Sequence, residues 1–107
     1  MRVIVPKTVP VRFAFEAAEG REEGWGRLVR LHPRGGRVST SFRLEPGDRV
    51  YLSFEAAGEA FDRAPAKVER SERDADGYVS ADLRLQDEVH VHRLGAALRG
   101  LVTRAGR

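Results

Sequence analysis

The sequence predicts an all-β domain with one helix, a six-stranded antiparallel barrel closed by a C-terminal α-helix. Two observations predict it. Between Val9 and Leu85, six short stretches alternate apolar and polar residues, and Pro-, Gly- and Asp-bearing turns separate them. After Leu85 the period lengthens, because Val91, Leu94, Leu98 and Leu101 are spaced by three, four and three. Closure also removes the edges that six short strands would otherwise expose.

A chain of 107 residues suits a single domain with one modest core. We divide it into an arm over residues 1–8, a barrel over about 9–85 and a helix over about 88–104. With 41% apolar and 33% charged residues it is expected to fold and to be soluble. It has no cysteine, hence no disulfide, thiolate metal site or thiol nucleophile. No stretch approaches the roughly 20 apolar residues of a membrane span, and the N-terminal apolar run is short and broken by Pro6 and Pro10. The expected location is cytoplasmic. The net charge is +3 and the basic residues are arginines apart from Lys7 and Lys67. Converging arginines offer bidentate recognition of phosphate or carboxylate.

The first strand is read at Val9, Val11, Phe13 and Phe15, and Glu19–Gly24 as a polar loop. Trp25–Leu31 and Arg37–Phe42 form a hairpin around a turn marked by Pro33, Gly35 and Gly36. Glu45-Pro46-Gly47-Asp48 reads as a type II turn into a strand with Val50, Leu52 and Phe54 inward. Ala56–Asp62 reads as a loop, and Ala64, Ala66 and Val68 as the inner face of the fifth strand. Asp74–Gly77 reverses the chain into Val79, Ala81, Leu83 and Leu85. Asp87 is the predicted N-cap and Gly106 the predicted stop of the helix. Leu94, Leu98 and Leu101 should pack on the barrel while Arg93, Arg99 and Arg104 stay exposed. The core should contain Phe13, Phe15, Val29, Leu31, Val38, Leu52, Phe54 and Val79.

The hairpin carries the candidate binding surface. Alternation sends Arg30 and His32 to the outer face, with Arg34, Gly35, Gly36 and Arg37 around the turn. His90 and His92, even with Asp87, lack the third and fourth partners of a zinc site, so no metal is expected. No nucleophile, acid and base are spaced for catalysis, so no enzyme is expected. Trp25, between Gly24 and Gly26, is read as a core residue at a strand entry rather than a stacking platform. With it, Tyr51, Phe61 and Tyr78 are the aromatics that alternation does not place inside. The weak charge asymmetry and few outer aromatics argue against nucleic acid.

The order of elements, the turn positions and the stretches VPVRFAFEA (Val9–Ala17) and LEPGDRVYLSF (Leu44–Phe54) resemble the PilZ family, over about residues 9–102. Two motifs of that family depart here. Its Asp/Asn-x-Ser-x-x-Gly motif falls on Arg30-Leu31-His32-Pro33-Arg34-Gly35, which keeps the glycine and replaces the other two positions. Its Arg-x-x-x-Arg motif is absent, since Pro6 stands four residues after Arg2 and Lys7 is one position late. The resemblance implies a cyclic di-GMP site in which arginines clamp phosphate and guanine and the Asp/Asn and Ser read the second guanine. Arginine has no acceptor, so Arg30 cannot accept from a guanine N–H. The expected function is therefore that of a small PilZ-like adaptor contacting another protein in bacterial signalling or motility, with cyclic di-GMP binding weak or absent. Arg2 and Lys7 are the arm residues that could contribute to the surface. Two alternatives stay open: a cyclic di-GMP receptor using the hairpin arginines in a non-standard way, and a nucleic-acid-binding barrel.

Overall fold

The structure, a computed structural model, describes the backbone of residues 3–15 and 23–105 and the side chains of residues 9–15 and 23–100. Six antiparallel strands are β1 (Val3–Phe15), β2 (Gly24–His32), β3 (Gly35–Thr40), β4 (Arg49–Ala56), β5 (Glu59–Arg73) and β6 (Val79–Leu85). They close a barrel in the order β1-β2-β3-β6-β5-β4, and α1 (Glu88–Ala105) follows. This is the predicted architecture.

Alternation fills the interior. Val11, Phe13 and Phe15 of β1, Val50, Leu52 and Phe54 of β4, and Val79, Ala81, Leu83 and Leu85 of β6 are all buried. The Phe13 ring meets Phe15 and Phe42 edge-on at 5.9 Å, a favourable arrangement for the ring quadrupoles. At the Pro46-Gly47 turn, Gly47 has φ 94° and the Asp48 N–H donates to the Glu45 carbonyl at 3.0 Å, as a type II turn requires.

Several expectations are corrected, each for a local reason. Val29 is half-buried, and Leu28 takes its place in the core. Leu28 pairs with Val38 and Arg30 with Arg37, so Val29 is the extra residue of a β-bulge that shifts the alternation by one. The Ala56–Asp62 loop shrinks to Ala57-Gly58, whose φ values of 53° and 78° make the tight hairpin turn that matches strand twist. Phe61 consequently lies in β5 and is buried, stacked on Phe54 with centroids 4.8 Å apart. Trp25 is exposed rather than core. Strand β1 already runs from Val3, so the backbone of residues 3–8 is strand and not arm, with Val3 opposite Leu31 and Ile4 opposite Arg30. Phe42 lies just past β3 and packs on the core from outside the strand. Most of the predicted Glu19–Gly24 loop, and Gly106, lie outside the described residues.

The helix begins at a built cap. The His90 backbone N–H donates to Asp87 Oδ1 at 2.7 Å, and the Val91 N–H to the Asp87 carbonyl at 3.1 Å. Leu94 and Leu98 are fully buried where α1 meets β2, β5 and β6. Buried Gly95 faces Pro33 of the β2–β3 turn, at a distance where a Cβ would make ordinary contact. The side chains of Leu101 and Arg104 lie outside those described, and Arg99 is exposed as expected. Arg93 is half-buried rather than exposed as expected. Its guanidinium donates to Glu59 at 3.0 Å and to the Ala60 carbonyl at 2.8 Å, and it covers the Phe61 ring at 4.9 Å.

Two outcomes follow. Leu98→Ala should destabilise the protein by about 2–5 kcal/mol in denaturant unfolding, the range for a buried leucine truncated to leave a cavity. An unchanged midpoint would mean that α1 is not docked on the barrel.

Asp87 supplies the second. The hydrogen bond from the His90 backbone lowers its pKa below the ordinary 3.8, with the His90 side chain adding to the effect. A carboxyl lowered in the folded state stabilises above its unfolded value, and that stability is lost as pH falls through the folded value. Asparagine caps nearly as well but does not ionise. Wild type should therefore exceed Asp87→Asn in thermal midpoint at neutral pH, with the gap closing below about pH 4. Asp87→Ala should cost about 1 kcal/mol.

Candidate functional site

Strand register assembles a charged row on the outer face of the barrel. Arg30 of β2 lies opposite Arg37 of β3, Arg37 opposite Asp82 of β6, and Asp82 opposite Arg70 of β5. Three strand spacings separate the ends, about 14 Å. Bulges frame the row: Val29 is the extra residue before Arg30, and Glu69 the extra residue before Arg70. They place both terminal arginines on the outside. An open groove of about 310 Å³ runs along this row, with His32, Gly36 and Glu69 completing its lining.

The charges are partly spent within the protein. Like charges opposite each other on two strands are destabilising. Arg37 is relieved by Asp82, to which its Nη1 donates at 2.9 Å, and by Glu72 at 3.9 Å. Its side chain is only 26% exposed, so this contact is partly desolvated and firmer than a surface pair. Glu69 faces Arg84 at 3.8 Å. Among the described residues, the Arg30 and Arg70 guanidiniums pair with no carboxylate. The groove therefore offers two uncommitted guanidiniums flanking a neutralised centre, suited to an anion or to an acidic segment of another chain.

Of the residues singled out from sequence, Arg30, His32, Gly36 and Arg37 meet in this groove. Arg34 does not, because it sits on the turn beside Glu88 at 4.0 Å. Gly35 is buried in β3 rather than lining the groove. Arg2 lies outside the described residues, as does the side chain of Lys7. Arg70, Glu69 and Asp82 were missed. They lie more than thirty residues away in sequence, and only the β3–β6 and β6–β5 pairings bring them in. His90 faces Asp87 at 2.7 Å, and among the described residues no three His, Asp or Glu side chains converge as a metal site.

The chain matches no model of a known protein family, and no curated protein sequence matches it. Among solved structures, it is similar to the PilZ domain of CeSA from a cellulose-synthesizing bacterium. The two share 26% identity and a TM-score of 0.60, over 92% of this chain and 98% of that one. The six-stranded closed barrel with its C-terminal helix is thus a PilZ-like fold.

The glycine of the hairpin motif has a structural task. Gly35 has φ 155°, and a Cβ there would overlap the Leu83 carbonyl oxygen of the neighbouring strand. Gly35→Ala should therefore lower stability by about 1–3 kcal/mol or more through overpacking. An alanine variant as stable as wild type would show that β3 and β6 do not approach so closely.

Proposed function

We propose that this chain is a degenerate member of the PilZ family, acting as a small non-catalytic adaptor or regulator that binds another protein in bacterial signalling or motility. The supporting observation is the chemistry at the family's ligand-reading positions. Arg30 and His32 stand where the resemblance calls for Asp/Asn and Ser, and the neighbouring Arg37 is already bound to Asp82. Likeness in fold to a PilZ domain supports the family assignment. The surface we assign to the partner is the groove containing Arg30, His32, Gly36 and Arg37, extended by Arg70. No helix among the described residues is long and apolar enough to cross a membrane, and we place the protein in the cytoplasm.

A second function is favoured by one observation. Asp82 and Glu69 line the same groove and could accept from a guanine N–H, as Arg30 cannot. A cyclic di-GMP receptor would then use Arg30 and Arg70 on the phosphates. Such binding must break or share the Arg37–Asp82 and Glu69–Arg84 contacts, which weakens it. A nucleic-acid role has less support, since the row alternates in sign instead of presenting a run of cations.

Calorimetry with cyclic di-GMP at physiological salt tests the choice. Losing a phosphate contact and a guanine contact, each about 1.5–3 kcal/mol, should move a micromolar affinity toward millimolar. The expected result is therefore weak or absent binding. A dissociation constant of about a micromolar or tighter, abolished by Arg30→Ala, would replace the adaptor with the receptor.

A further inference from the structure

Strand register sets three cations side by side on another part of the outer face. Arg49 of β4 lies opposite Lys67 of β5, and Lys67 opposite Arg84 of β6. All three are exposed. Neighbours in this row are one strand spacing apart, about 4.8 Å, and its ends about 10 Å. Core packing fixes the row. Val50, Ala66, Val68, Leu83 and Leu85 are buried, so alternation turns Arg49, Lys67 and Arg84 outward, and the registers cannot slip to separate them.

Like charges directly opposite each other destabilise a sheet, and this chain does little to relieve them. Lys67, in the middle, pairs with no carboxylate among the described residues. Arg84 has Glu69 at 3.8 Å, with both side chains about half-exposed, and such a surface pair contributes little. The row therefore carries a repulsion that a bound anion would remove.

A small cleft adjoins the row. Two residues along each strand, about 7 Å away, stand Tyr51, Pro65 and Gln86. Tyr51 lies opposite Pro65, and the Gln86 backbone N–H donates to the Pro65 carbonyl at 2.8 Å. With Arg49 they line a cleft of about 80 Å³, room for one compact group. The Gln86 side-chain amide is held by the Arg84 carbonyl at 3.0 Å. A fourth cation, Arg63, lies over the Tyr51 ring at 4.8 Å and pairs with no carboxylate among the described residues. No carboxylate lines the cleft itself.

These features select a compact anion of several charges. An uncharged sugar would leave the repulsion in place, and a single carboxylate brings one charge to a row of three cations. An extended acidic segment repeats its charges along one line about 7 Å apart, whereas the cations here stand closer and flank a cleft. Single-stranded nucleic acid stacks its bases on open rings, and the one ring here already carries Arg63. A phosphate group brings about −1.5 to −2 at pH 7 and three acceptor oxygens. Arginine takes it bidentately and lysine as a point charge.

We propose that Arg49, Lys67 and Arg84, with Tyr51 and Gln86, form a binding site for an anion of clustered phosphates, free or carried by a lipid headgroup. The site is separate from the arginine groove and independent of the adaptor function. Calorimetry of the full chain with inorganic pyrophosphate, in buffer free of other phosphate, should show saturable binding that raises the thermal midpoint. Lys67→Gln should weaken it about tenfold or more, Lys67→Arg should retain it, and Arg30→Ala should leave it unchanged. Without anion at low salt, Lys67→Gln should melt no lower than wild type, because it removes the repulsion. Co-sedimentation with phosphatidylcholine vesicles, with and without phosphatidic acid, separates the two sources. Capture by phosphatidic acid that needs Lys67 assigns the lipid, and pyrophosphate binding without capture assigns a free anion. The proposal fails if neither probe binds, if citrate binds as well as pyrophosphate, or if Lys67→Gln melts lower without anion. Binding lost with Arg30→Ala but kept with Lys67→Gln would move the anion to the arginine groove and overturn this site.

Discussion

Ring closure is the constraint on which everything else in this protein depends. Strand β1 is bonded to β2 on one side and β4 on the other, so every strand has two neighbours. Slipping any strand by one residue would send its apolar row to water and its charges inward. Closure therefore couples all six registers, and surplus residues are absorbed as bulges. Val29 and Glu69 are two of these, and they turn Arg30 and Arg70 outward on β2 and β5. Core formation and the charged groove are two results of the same pairing.

That coupling extends to the ends of the barrel. The Leu85 N–H donates to the Arg34 carbonyl at 2.7 Å, tying the β2–β3 turn to the exit of β6. Pro33 of this turn meets Gly95 of the helix, and Arg93 grips the β4–β5 hairpin through Glu59 and Ala60. The helix is thus held by buried leucines in its middle, by Pro33 at one strand connection and by the polar contacts of Arg93 at another.

Fold class was legible in the sequence because alternation is a local signal. Val79, Ala81, Leu83 and Leu85 need no partner to declare their face, and the change of period after Leu85 announces the helix. Val29 was misplaced because a bulge is decided by the neighbouring strand, and nothing in Leu28-Val29-Arg30 marks it. Phe61 was misplaced because Ala57 adopts a positive φ, a conformation for which alanine gives no warning. The site divides the same way. Arg30, His32 and Arg37 share a hairpin and were found together. Arg70, Glu69 and Asp82 reach them only through non-local pairing, which no local pattern encodes. Trp25 was assigned to the core on its glycine neighbours, but its place opposite Arg12 puts it outside.

The packing of Gly35 separates the hairpin motif into two kinds of residue. The glycine answers to the Leu83 carbonyl across the ladder, whereas Arg30 and His32 line the open groove and take no part in that packing. The groove-lining positions of such a barrel can therefore change entirely while the glycine stays put, because the glycine is required by its own backbone. Its presence is diagnostic of architecture and silent about cargo.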